Sequence, residues 1–309
     1  MKSGYGIAQL VDNVASLEHM LNSLAGVRQL AVDGEGISLG RSGKLCLLAV
    51  APAVPPSADA GAAAVAAAPS ASGSAVAAAS SATPDTSRPQ PRPPVFLLDV
   101  SALSSAAFSH TPAAAEGAAA GRRSGGRGAA GPPRSLKALL ECDKVTKLFY
   151  DVRADAEALF HQHGVALRGV VDLQLAEVAY RRYGPFPRRV AYVMGLSRAL
   201  ESYLDAASRA TWQATAVDKR SLQGSYERDP AYWDRRPLTI EQVRYASDDV
   251  LYLHHLHREL TGALSPPILE RVQRFSEYRI ADSCKVGSPD EAGGIAARDA
   301  TRTIAPAGL

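Results

Sequence analysis

The run Leu30-Ala31-Val32-Asp33-Gly34-Glu35-Gly36 most limits the folds open to this chain. It is apolar, carries a β-branched residue, follows a helix stop at Gly26 and leads into glycine, which is the pattern of a buried central strand. Two carboxylates close it. Side chains alternate across a strand, so Asp33 and Glu35 project from the same face with their oxygens close together. Like charges at that spacing resist joint ionisation unless a cation lies between them, and hard divalent ions take oxygen ligands. An Asp-x-Glu in a solvated turn would read the same way, so the chemistry depends on whether more carboxylates converge.

The flanks supply a sheet for that strand. Ile7 to Val11 reads as a short strand. A helix capped by Asp12 or Asn13 follows, with Val14, Leu17, Met20, Leu21 and Leu24 at helical spacing. The turn Gly40-Arg41-Ser42-Gly43 and the apolar run Leu45 to Val50 predict an antiparallel hairpin with the key strand. Val95 to Val100 gives a further strand, Ser135 to Leu140 a short helix, and Thr146 to Tyr150 a strand. Arg153 to His163 forms a helix closed by Gly164, and Val170 to Asp172 a short strand. Helices then dominate to Leu260, and Pro267 to Tyr278 adds another. The class is α/β, with a sheet that has an antiparallel portion.

Between these elements the composition changes. Residues 51–94 are almost wholly Ala, Pro, Ser, Val and Gly, and about 103–134 are Ala/Gly-rich with Arg122, Arg123, Arg127 and Arg134. Neither stretch has periodicity or enough large apolar side chains to bury, so both are expected to be disordered insertions in one domain of ordinary size. Long loops cost little extra closure entropy, so they do not argue against folding. The net charge of +3 is too small to indicate nucleic acid by itself. Cys46, Cys142 and Cys284 lack metal-ligand spacing and read as reduced thiols of an intracellular protein. No apolar run approaches a membrane span and Met1-Lys2-Ser3-Gly4 opens no signal peptide, so no membrane partner is expected. Cytoplasm, nucleus and organelle all stay open.

More acids fall at telling positions. Lys147 to Asp155 is a strand-to-helix step that sets Asp151 and Asp155 at a strand's carboxyl end and a helix's first turn. Open α/β sheets place ligands there. Thr239-Ile240-Glu241-Gln242 matches a capping box, and on the helix it opens Tyr245 and Asp249 share a face, apart from the stripe Val243, Ala246, Val250 and Leu253.

In this order and at these positions, the set resembles the DEDD 3′–5′ exonucleases of the tyrosine subclass, as in ribonuclease D. Leu30 to Gly36 with Leu39-Gly40-Arg41 resembles the first motif of the Egalitarian-like exonuclease-domain branch. Phe149 to Leu159 with Val171 to Ala176 resembles the second motif. Trp233-Asp234-Arg235-Arg236-Pro237-Leu238 ahead of Tyr245 to Leu253 follows the ribonuclease D pattern. The resemblance implies a ribonuclease H-like mixed sheet with flanking helices and an exonuclease domain over 5–262; past it the family pattern ends, and the composition of 263–309 predicts a short helix and a disordered tail. The resemblance assigns the metal ligands to Asp33, Glu35, Asp155 and Asp249, with Tyr245 as the fifth catalytic residue, orienting the attacking water. Two divalent cations are implied, Mg2+ with Mn2+ able to substitute. The activity implied is 3′–5′ hydrolysis of single-stranded nucleic acid, RNA ahead of DNA, to nucleoside 5′-monophosphates.

Other residues were weighed for contact with the strand. Arg181, Arg182, Arg188 and Arg189 flank Tyr183-Gly184-Pro185-Phe186-Pro187, and Lys219 and Arg220 precede the tryptophan motif. These basic residues are candidates for the phosphate backbone, against a plain solvated surface. Trp233 reads as a packing anchor, the histidines as helix-surface or core residues, and Asp172 as having no catalytic role. Protein partners are not indicated. The competing function is a non-catalytic RNA-binding adaptor on the same fold, for which loss of an acid would have spoken; the whole set is present.

Overall fold

The computed structural model describes residues 8–53, 93–112, 134–217, 222, 224–225, 228–286, 304–306 and 308–309. Among these, six strands form one sheet: β1 (Gln9–Val11), β2 (Gln29–Ile37), β3 (Lys44–Pro52), β4 (Phe96–Asp99), β5 (Thr146–Phe149) and β6 (Val170–Asp172). Their order across the sheet is β1-β4-β3-β2-β5-β6. The expected hairpin is present: β2 runs antiparallel to β3, with Asp33 opposite Ala49 and Glu35 opposite Leu47. β3 is also antiparallel to β4, whereas β1–β4, β2–β5 and β5–β6 are parallel. The sheet is therefore mixed and β2 lies inside it, as a strand of almost uninterrupted apolar residues requires.

Two helical layers cover the sheet. On one side lie α1 (Val14–Ser23), α2 (Val100–Leu103), α3 (Ala106–Ser109), α4 (Leu136–Glu141) and α5 (Arg153–His163). Their Leu17, Met20, Phe108, Leu139 and Leu159 pack with Leu30, Val32, Leu48 and Val50 of the strands. On the other side lie α6 (Leu173–Tyr183), α7 (Leu196–Tyr203), α8 (Ala206–Thr215), α9 (Ile240–Leu251), α10 (Leu253–Gly262) and part of α11 (Pro266–Ser283). There Leu175, Leu200, Trp212, Val243 and Leu256 meet Ala31, Leu47, Ala49 and Ala51. Alternate residues of β2 thus belong to opposite cores, which is the period-2 rule at work.

Several boundaries differ from the expectation. The helix opened by the capping box ends at Leu251 and a second starts at Leu253, so that Val243, Ala246 and Val250 of α9 and Leu253, Leu256 and Leu260 of α10 all reach the same core. Parts of the two predicted insertions are ordered: β3 continues through Pro52, and α3 buries Phe108 at the start of the second. One bulky aromatic in an Ala/Ser-rich stretch suffices to anchor it, and composition averaged over the window hid this. Residues 54–92 and 113–133 lie outside the described residues. The predicted tail also differs. α11 extends to Ser283, and beyond 287–303, which are not described, Ile304 bridges Tyr192 while Ala305 and Leu309 are buried against the helical core.

Candidate active site

β2 sets the site. Asp33 and Glu35 share the face of Ala31, under α9. That helix starts at a capping box, the Thr239 hydroxyl accepting from the Gln242 N–H at 3.2 Å and the Gln242 side chain accepting from the Thr239 N–H at 2.7 Å. Val243, Ala246 and Val250 seat it on the sheet, and Asp249 is carried to the strand's end. One carboxylate oxygen from each of Asp33, Glu35 and Asp249 then lies within 4.8 Å of the others. Asp33 and Glu35 are half-buried and Asp249 is buried.

Asp155 arrives from the opposite layer. It occupies the first turn of α5, whose Ala156, Ala158 and Leu159 belong to the other core. Gly34 alternates with its neighbours, so a side chain there would point toward that layer. A Cβ on Gly34 would stand 2.6 Å from Asp155 Oδ1 and 3.0 Å from Leu45 Cδ1. The missing side chain is therefore the gap that lets Asp155 lie against the strand between Asp33 and Glu35. Asp155 is buried and its Oδ1 has no hydrogen-bond partner among the described residues. Burial pushes its pKa well above the carboxylate range, and the neighbouring charges of Asp33 and then Asp151 push it the same way. A buried, orphaned carboxylate oxygen that feels the charges of Asp33 and Asp151 fits a divalent cation, which would supply both the missing charge and the missing partner.

A bulge completes the geometry. Glu35 pairs with Leu47 but Gly36 pairs with Leu45, so Cys46 is the extra residue and the strands twist just beyond the acids. Gly36 is needed there because a Cβ would sit 2.0 Å from the Lys44 carbonyl oxygen.

Tyr245 stands one helical turn before Asp249, its ring 5.9 Å from that of Trp233. Trp233 is buried, as a packing anchor should be. Its 3-10 turn, Tyr232–Asp234, is tied to the sheet by polar contacts that the sequence did not disclose. The Arg236 guanidinium clasps the buried Asp99 carboxylate with two hydrogen bonds, Nη2 donating at 2.7 Å, and also donates to the Trp233 and Cys46 carbonyls. Asp234 accepts from Lys44 Nζ at 2.5 Å and from the Ser101 hydroxyl at 2.6 Å. Beside Tyr245 and Asp249 opens a small pocket walled by Ser197, Leu200, Trp212 and Val217.

The basic candidates divide. Arg181 makes two hydrogen bonds to the fully buried Glu177 and a third to the Tyr192 carbonyl, and Arg182 donates to the carbonyls of Pro306, Val190 and Leu309. A buried carboxylate needs a paired charge and carbonyls without partners need donors, so both guanidinium groups hold the fold together here. Arg188 and Arg189 are exposed next to Phe186, itself 88% exposed. Lys219 and Arg220 lie outside the described residues.

Residues 130–265, which hold Asp155, Tyr245 and Asp249, match the family described as 3′–5′ exonuclease. That segment is similar to a 3′–5′ exonuclease domain, and the fold is ribonuclease D-like. Asp33 and Glu35 precede the matched segment of that domain. Among solved structures, the chain resembles Trypanosoma brucei RNase D, with a TM-score of 0.59 at 21% identity over 93% of this chain and 77% of that one. It also resembles the same protein in complex with RNA U12, at 0.57 and 21% over 94% and 77%. Escherichia coli RNase D matches at 0.50 and 15% over 92% and 52%. Among curated proteins, the piRNA biogenesis protein EXD1 of Bombyx mori is 26% identical over 153 residues, 48% of this chain. The match spans 44% of that relative, less than half its length. The fold of the exonuclease domain is the ribonuclease H-like mixed sheet expected from the sequence.

Proposed function

We propose that the chain is a metal-dependent 3′–5′ exonuclease acting on single-stranded nucleic acid, RNA ahead of DNA, and releasing nucleoside 5′-monophosphates. One observation carries this reading: one carboxylate oxygen from each of Asp33, Glu35 and Asp249 lies within 4.8 Å of the others, and the buried Asp155 lies against Gly34 between the first two. Such a concentration of negative charge makes little sense without cations. A strand bearing phosphates would otherwise be repelled. Asp33, Glu35, Asp155 and Asp249 would hold two divalent cations, Mg2+ or Mn2+, since the donors are all oxygen. When bound, such ions neutralise charge on a phosphoryl group and make a water nucleophilic near neutral pH.

The protein's own groups do the rest. Tyr245, its ring against Trp233, lines the same pocket as Asp249, and its hydroxyl would orient the attacking water by hydrogen bonding. Arg188, Arg189 and the exposed Phe186 offer cationic and stacking contacts to the strand. The RNA preference draws on the RNA complex of the trypanosomal neighbour.

The test is degradation of 5′-labelled single-stranded RNA and DNA by the purified chain with Mg2+, Mn2+ or chelator, alongside Asp33→Ala. A metal-dependent ladder shortening from the 3′ end and lost in Asp33→Ala is the expected result. Strand binding without cleavage by the folded chain would replace this reading with the adaptor.

A further inference from the structure

Asp172 is fully buried, and its carboxylate joins the turn that delivers Asp155 to its own helix cap and to a distant arginine. Its Oδ1 accepts from the backbone N–H of Asp151 and of Gln174, each at 3.0 Å. Its Oδ2 accepts from the N–H of Val152 at 3.1 Å and from Arg279 Nη1 at 2.6 Å. The β5–α5 turn needs such outside help. Val152, at the helix cap, offers no side-chain bond, and Asp151 sits at φ 70°, a left-handed conformation that costs a non-glycine residue free energy. The first turn of α5, with Asp155 in it, is therefore held by a carboxylate borrowed from the next strand.

That carboxylate is in turn held by α11. Arg279, whose side chain is 10% exposed, pairs with Asp172 and approaches Asp151 at 3.6 Å. Ser276, one turn earlier on α11, accepts from the Asp172 N–H at 3.0 Å. Without Arg279, Asp172 would be a buried, uncompensated charge; it would shift toward solvent and could no longer serve both turn N–H groups.

We infer that Arg279 and Asp172 form a latch through which α11, a helix beyond the matched exonuclease segment, positions Asp155 for metal binding. The inference rests on the metal-dependent reading above. Both are positioning residues, since neither is among the acids that converge at Gly34.

Two readouts on Arg279→Met test it: Mn2+ affinity by calorimetry, and hydrogen exchange of peptides covering residues 150–156. Outer supports of metal ligands typically change affinity by about 10- to 100-fold. The expected result is Mn2+ affinity weakened at least about tenfold, faster exchange over 150–156 with the β2–β3 hairpin unchanged, and partial recovery in Arg279→Lys. If Arg279→Met does not fold, Ser276→Ala, which removes one bond to Asp172, takes its place with the same two readouts. Unchanged exchange at 150–156 in a folded variant overturns the latch. Faster exchange with the affinity of the unaltered chain also overturns it, because the turn would then be loosened without consequence for the metal. The nuclease reading fails separately: an unaltered chain that binds no Mn2+ refutes that reading, and with it the latch's purpose.

Discussion

Gly34 and Asp155 share one space: the side chain that Gly34 lacks would begin 2.6 Å from the Asp155 carboxylate oxygen. Asp33 and Glu35 point one way from β2, and the residue between them must lack a side chain for an acid from the opposite layer to lie against the strand there. Gly34→Ala is expected to displace Asp155 and push on Leu45, costing about 1–3 kcal/mol of stability. It should lower cleavage at least about 100-fold, since misplacing a reacting group by about 1 Å has that effect. Thermal unfolding and RNA degradation of the same preparation check both. A fully active Gly34→Ala would mean that Asp155 is not needed where it stands.

The acidic cluster should cost stability until cations arrive. Asp33→Asn removes one of the repelling charges, so in chelator it should be more stable than the unaltered chain by on the order of 1 kcal/mol. Adding Mg2+ should reverse the order. At 100 times its dissociation constant a bound ion adds about 2.7 kcal/mol to the unaltered chain, and less to a variant that binds it poorly. Differential scanning calorimetry with and without Mg2+ measures the crossing, and its absence would count against these acids as ligands.

Much of this was legible in the sequence. Period-2 alternation and the helix caps are local signals, so the strands from Gln29, Lys44, Thr146 and Val170 and the helix at Arg153 could be read directly. The acids could be grouped because each sat at the end of a recognisable element. What could not be read were contacts set by tertiary approach. Gly34 was visible as a glycine in a strand, yet nothing local said that Asp155 would fill its place. Arg181 and Arg182 looked like free cations until Glu177 was found buried beneath one and the 304–309 stretch against the other. The latch between Asp172 and Arg279 joins residues 107 apart in sequence, beyond any periodicity.

Arg236→Met should be among the most damaging surface-proximal changes. It would strand the buried Asp99 carboxylate and release the Trp233 and Cys46 carbonyls. Breaking a buried pair from one side typically costs about 3–5 kcal/mol. Chemical denaturation should show this loss. Asp99→Asn with Arg236→Met should recover part of it, because the stranded charge is gone; no recovery would mean that the carbonyl contacts carry the loss.

Lys147 sets a pH dependence. It is fully buried in β5, its ammonium donating to the Cys142 carbonyl at 2.6 Å, and burial lowers its pKa from the ordinary 10.5 to about 8. Below pH 8 the lysine is protonated folded or unfolded, and the fold bears the cost of the buried charge. As pH rises through 8 the folded chain releases the proton first, so stability is gained up to the unfolded value near 10.5. Lys147→Met has no such proton to release. Between pH 7.5 and 9.5 the unaltered chain should therefore gain about 2 kcal/mol on Lys147→Met, read from urea unfolding at each pH. Parallel profiles would show that the ammonium is better solvated than its burial implies.

Tyr245→Phe separates orientation of water from construction of the site. The ring contact with Trp233 and the seat of α9 survive the change, so Tm should move by less than about 2 °C, the shift of a substitution that costs under about 0.5 kcal/mol. Mn2+ affinity should also hold, because all four carboxylates remain. The turnover rate should fall about 10²- to 10⁴-fold with KM nearly constant, since the hydroxyl would act on the water and not on the bound strand. Single-turnover RNA cleavage beside equilibrium binding of the same strand makes this distinction. Equal losses in binding and turnover would place Tyr245 against the substrate, and the water would then need another partner beside Asp249.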